Sequence, residues 1–168
     1  MTQSPGTWSY RPGTWLGIVG AASTLLLPAG EKRRAADLWS RIDDGDDFDT
    51  VLDALLQTGL GGLPAFVLIG TDAAAGTTRL LVRGDAVHAS AQTADGTVEV
   101  EGPAGRTWVE QTLEGVTSLQ VEVEPAEDGA GEVDDRAGGG GEFAARQGHL
   151  PAVEGQHALL AFARAALQ

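Results

Sequence analysis

The chain contains no cysteine. Disulfides, thiolate nucleophiles and Cys-ligated zinc are therefore excluded, and with them a small secreted domain stapled by cross-links. Cations are scarce too: 11 Lys and Arg stand against 24 Asp and Glu, for a formal net charge of −13. That sign opposes the counterion release that drives nucleic-acid binding and opposes adsorption to anionic lipid. Neither nucleic acid nor a membrane is expected as a partner. The apolar run Trp15 to Pro28, WLGIVGAASTLLLP, is shorter than the ~20 residues a spanning helix needs. Only Arg11 precedes it and no small-x-small cleavage pattern follows, so it is not expected to be a signal peptide, and the chain reads as cytoplasmic.

Glycine, by contrast, is abundant, at 24 of 168 residues. Average usage is only about 7%, and much of the excess sits in 125–142, PAEDGAGEVDDRAGGGGE. That stretch has too little apolar surface to offset its ordering entropy and is expected to be a flexible linker, taken as 125–148. Residues 1–124 are expected to form one domain, and 149–168 an amphipathic C-terminal helix carrying Leu159, Leu160, Phe162, Ala163 and Leu167.

Within the first 124 residues the hydrophobic period changes twice. Pro-Gly-Thr-Trp occurs at 5–8 and again at 12–15. Arg11-Pro12-Gly13-Thr14 suits a type II turn, which would pair Thr7–Tyr10 with Trp15–Val19 and set Tyr10 opposite Trp15 and Trp8 opposite Gly17. Two helices follow. Ala35, Leu38, Trp39 and Ile42 make one stripe; Phe48, Val51, Leu52, Leu55 and Leu56 make another, with Asp46 or Asp47 as N-cap and Gly59 as the stop. From Pro64 the period is two or the runs are short and apolar: AFVLIG, TRLLVRG, AVHASAQT, TVEVEG, RTWVEQ and SLQVEVE. Gly-containing turns separate them. The expected fold class is α+β, an antiparallel β-meander, half-barrel or sandwich-like, packed against a two-helix hairpin.

Catalytic and metal-binding signatures do not occur at the spacings they require. The acidic run Asp43 to Asp49 fails as an EF-hand loop, because its sixth and twelfth positions are Phe48 and Ala54, or Asp49 and Leu55 one residue on. His88, His149 and His157 have no partner at metal spacing. The clusters Gly59-Leu60-Gly61-Gly62 and Gly138 to Gly141 lack the Gly-Lys-Ser/Thr ending of a phosphate loop. No Gly-x-Ser-x-Gly elbow is present. No metal, cofactor or catalytic residue is expected. In RTWVEQ, Arg106, Trp108 and Glu110 alternate on a strand; they read either as a recognition patch or as a core tryptophan with charges at its rim.

The segments YRPGTWLGIVG, LLLP, ADLWSRI, FDTVLDALLQTGL, LPAFVL, RLLVRGD and TWVEQTL, spread over 8–123, together resemble the amino-terminal region of actinobacterial proteins that carry a forkhead-associated domain further along. The resemblance implies a place in Ser/Thr phosphorylation signalling. The phosphothreonine-binding domain itself is not in it: its Gly-Arg, Ser-x-x-His and Asn-Gly residues do not occur as an ordered set, and no phosphate-binding residue carries over. The functional expectation is a non-catalytic binding or regulatory module with a protein partner. The alternative is a small enzyme or ligand-binding protein with a site at the mouth of the β-rich part, lined by Trp8, Trp15, Trp108 and Glu110. Self-association through a sheet edge or the terminal helix is compatible with both.

Overall fold

A computed structural model describes residues 7–10, 14–104, 107–124 and 158–163, the first and last of these as backbone. The order begins with β1 (Thr7–Tyr10), β2 (Trp15–Val19) and β3 (Ser23–Pro28), then the helices α1 (Lys32–Asp43) and α2 (Phe48–Leu56). There follow β4 (Phe66–Asp72), β5 (Thr77–Arg83), β6 (Val87–Thr93) and β7 (Gly96–Glu101). The last strands are β8 (Val109–Glu114), β9 (Ser118–Val123) and β10 (Ala158–Ala163).

The strands form two five-stranded sheets, ordered β2-β3-β4-β5-β8 and β1-β10-β9-β6-β7. Every pairing is antiparallel. The first sheet is the middle layer of three. One face packs Leu26, Val67, Ile69, Leu80 and Val82 against Val87, Ala89, Val100, Leu119, Val121 and Val123 of the second sheet. Its other face packs Leu25, Leu27, Phe66, Leu68 and Leu81 against Leu38, Ile42, Phe48, Val51 and Leu55 of the helices. The unbroken apolar runs of β3 and β4 are thus explained: strands covered on both faces have no solvent side on which to alternate. The second sheet has one open face, and β9 alternates buried and exposed accordingly. The expected α+β class, with antiparallel strands packed on a helical hairpin, is the one observed, in its sandwich form.

Both helices form on their apolar stripes. Ala35, Leu38 and Ile42 of α1 are buried, as are Phe48, Val51 and Leu55 of α2. Trp39 departs from the expected stripe and is 39% exposed. One residue turns the helix by about 100°, so the position after Leu38 lies at the margin of the buried face. Asp47 caps α2, its carboxylate accepting the Thr50 N–H at 2.9 Å.

Two expectations are overturned. Tyr10 does not face Trp15: β1 pairs with β10, setting Trp8 opposite Phe162 and Tyr10 opposite Leu160, while β2 pairs with β3 and sets Trp15 opposite Pro28. A local turn signal bends the chain without choosing its partner. The short link Gly20 to Ala22 gives β2 its neighbour, whereas β1 lies in the other sheet. Residues 158–163 are a strand instead of a helix, inserted between β9 and β1. Two ladders of hydrogen bonds outweigh a helical spacing too short to be stable alone. The expected linker and the rest of 149–168 lie outside the described residues.

Close approach explains one glycine inside a strand. A Cβ on Gly70 of β4 would lie 2.7 Å from Cδ2 and 2.9 Å from Cβ of Phe48, the first residue of α2. Gly70→Ala is expected to lower unfolding stability by about 1–3 kcal/mol through overpacking. Gly61→Ala, with nothing within 4 Å of the new atom, serves as the control and should change it by less than about 0.5 kcal/mol. Urea denaturation followed by tryptophan emission measures both.

Candidate functional site

Polar side chains converge where the start of α2 meets β5 and β8. The centre is Arg79, which precedes the apolar run of β5 and points to the helix side of the middle sheet. Its Nη1 donates to Asp49 Oδ1 at 2.9 Å; Nε and Nη2 donate to Glu110 Oε1 at 3.2 and 2.7 Å. The guanidinium carbon stands 4.1 Å from the centre of the Phe48 ring. One cation thus joins a helix, a central strand and an edge strand. The hydrogen bond to Glu110, with that to Asp49 and the charge of both carboxylates, raises the Arg79 pKa above its already high ordinary value.

Beside it lies a groove of about 340 Å³, lined by Asp47, Phe48, Gly70, Thr71, Asp72 and Arg79 among others. Its carboxylates are in use. Asp47 caps α2, and Asp72 accepts the N–H groups of Ala74 and Ala75, each at 3.0 Å, holding the turn between β4 and β5. Hydrogen bonds from the Thr50 hydroxyl and backbone N–H, with a smaller attraction to Arg79, lower the Asp47 pKa from its ordinary 3.8. Among the described residues no group of three or more His, Asp or Glu is placed to hold a metal ion.

Of the residues singled out in the sequence, Trp108 and Glu110 come together. Trp108 is partly buried against the helix-side core, and Glu110, two residues on along the same side, pairs with Arg79 at the rim. Trp15 is elsewhere. It packs against the core between the sheets, from β2 at the opposite edge of the middle sheet, with its indole Nε1 buried and without a hydrogen-bond partner among the described residues. Trp8 is in the second sheet, opposite Phe162. Arg106 lies outside the described residues. Trp15 and Trp108 therefore face opposite sides of one sheet and do not line a common mouth.

Sequence reasoning missed Arg79, Phe48 and Asp49 as a unit. The one signal was an arginine ahead of the apolar run in TTRLLVR; its partners are brought by α2 and β8, 30 and 31 residues away. His88 stands on the open face of the second sheet, with Nε2 at 2.7 Å from Glu99 Oε2, and Ser90 donates to the other Glu99 oxygen at 2.9 Å.

No family model and no curated protein matches the chain. Among solved structures, a chain described under "The bacterial stressosome: a modular system that has been adapted to control secondary messenger signaling" aligns over 95% of this chain and 98% of its own. Identity is 12% and the TM-score 0.46, a likeness too distant to carry fold or function across. None of the helices among the described residues is long and apolar enough to cross a membrane.

Arg79→Met keeps the stem and removes three polar contacts and the ring contact; it should cost about 1–2 kcal/mol in chemical denaturation, summing exposed ion pairs and one cation–π contact. Arg79→Lys should recover less than half of this, because an ammonium cannot reproduce the forked geometry. The cap makes a separate pH prediction. Since the folded pKa of Asp47 is lowered, its contribution is complete above the unfolded value near 3.8 and is lost as pH falls through the lowered folded value. Asp47→Ala should therefore melt below the wild type at neutral pH, with the gap narrowing in acid; Asp47→Asn, which keeps a neutral cap, should start with a smaller gap and lose the same pH-dependent part of it. Melting temperatures across the acid range decide it.

Proposed function

We propose that this chain is a non-catalytic protein-interaction module, an adaptor in Ser/Thr phosphorylation signalling. The observation that carries the first half is that the ionic groups of its polar cluster are each held by another group of the fold. Arg79, Asp47, Asp49, Asp72 and Glu110 are each committed to a partner in the fold. A general acid, base or nucleophile needs a group free to meet substrate. Between the sheets the described side chains are apolar and packed together: Val67, Leu80, Val82 and Ala89 are fully buried there. A site inside the β-rich part, as the small-enzyme reading requires, would need an open cavity in that space. The signalling half rests on the resemblance of residues 8–123 to the amino-terminal regions of forkhead-associated proteins. The groove beside Phe48 favours the other reading, a small-ligand site at the surface.

Cross-linking of the full chain in its native cells, read by mass spectrometry, tests the proposal. A Ser/Thr kinase, phosphatase or phosphoprotein is the expected partner. Recovery of no protein partner, together with a metabolite that stabilises the purified chain and whose effect is lost in Asp72→Asn, would overturn it in favour of the small-ligand reading.

A further inference from the structure

We infer that the edge strand β8 is an open docking edge that takes an extended segment of a partner protein, with basic and apolar residues in alternation, as a sixth strand of the middle sheet. The inference rests on the interaction-module reading and names the surface that module would use.

The middle sheet is covered on both faces over β3, β4 and β5, and the cover thins at β8, where Val109 and Leu113 alone reach the core between the sheets. Glu110, Gln111, Thr112 and Glu114 are all exposed, and these four come from both faces of the strand. Neither the helix layer nor the second sheet reaches over them. Among the described residues β8 has a ladder on one side only, to β5, in unbroken register from Val109 opposite Val82 to Glu114 opposite Thr77. Alternate N–H and C=O groups of an antiparallel edge strand point outward and accept a further strand. Edges are commonly closed by proline, lysine, a bulge or a covering loop. Over Val109–Glu114, VEQTLE, there is no proline, no cation and no break in register.

The side chains say what kind of strand fits. Val109 and Leu113 lie on the side facing the core between the sheets, so the matching positions of an incoming strand favour apolar residues. Glu110, Thr112 and Glu114 form the other row. Opposite Glu110 and Glu114 a Lys or Arg gains a cross-strand pair. Glu114 has no ion-pair partner among the described residues, and Glu110 uses one oxygen for Arg79 and leaves Oε2 open. The neighbouring edge β7 is less suited, because Glu99 is already held by His88 and Ser90. A second copy is disfavoured: antiparallel self-pairing centred on Thr112 would set Glu110 against Glu114 of the other copy twice, and like charges directly opposite are destabilising.

The probe is a synthetic peptide, acetyl-Thr-Lys-Val-Lys-Val-Lys-Thr-amide, with an all-Glu counterpart in place of its lysines. Both are titrated into the isotope-labelled full chain while amide exchange is followed by NMR. The basic peptide should slow exchange of alternate amides within 109–114, by about ten-fold when its free concentration is ten times its dissociation constant, and the acidic peptide should not. Glu110→Lys with Glu114→Lys should reverse that preference; Glu114→Lys alone breaks no ion pair and keeps the test valid if the double variant fails to fold. Protection confined to Gly96–Glu101, equal binding of the two peptides, no binding of either, or a stable homodimer that protects β8 would each overturn the inference. None of these results bears on whether cross-linking finds a signalling partner, so the two can fail separately.

Discussion

The middle sheet is covered on both faces, and nearly everything else about the molecule follows from that. Two separate cores share its backbone, so neighbouring residues on one strand serve different layers: Leu25 and Leu27 face the helices while Leu26 between them faces the second sheet. A one-residue slip of β3 would exchange the two sets, and the exchange has no room in interiors packed this closely. Few polar groups enter these cores. Ser23, 2% exposed, donates to the Asp46 carbonyl at 3.1 Å, tying the strand to the turn between the helices.

Such a sheet leaves no place for charge except at its margins. The chain is strongly acidic, and its carboxylates gather on turns, on the open face of the second sheet and on edge strands. At one margin Arg79 collects two of them and stacks on Phe48, joining layers that hydrophobic packing alone holds without orienting. Mutual repulsion of the remaining charge keeps the surface solvated and discourages like copies from pairing. The same charge makes the uncovered edge selective for a partner of opposite sign. The edge strand that the covering layers only partly reach carries two of these carboxylates, Glu110 and Glu114.

Much of the architecture could be read from periodicity. The helices were visible as two stripes at 3.6-residue spacing, and the antiparallel class from alternations such as Leu119, Val121 and Val123. Phe48 illustrates the limit: its place on a helical stripe was legible, while its contact with Gly70 and its role as platform for Arg79 were not, since both partners are distant in sequence. Trp108 was legible as sharing a strand face with Glu110, as a recognition patch or as a core tryptophan with charges at its rim; it packs partly buried on the helix-side core. Trp15 was misassigned, because a turn signal says where the chain bends and nothing about which sheet receives the next strand.

By itself, then, the sequence determined the helical pair, the antiparallel strands of residues 64–123 and the acidic balance of the chain. Those properties depend on residues within a few positions of one another, or on simple sums over the chain. Tertiary structure alone decided that β1 leaves its expected partner, that residues 158–163 become a strand between β9 and β1, and that Asp49, Arg79 and Glu110 meet. Each of these depends on long-range closure, in which a ladder or an ion pair between distant segments outweighs a local preference worth less than either.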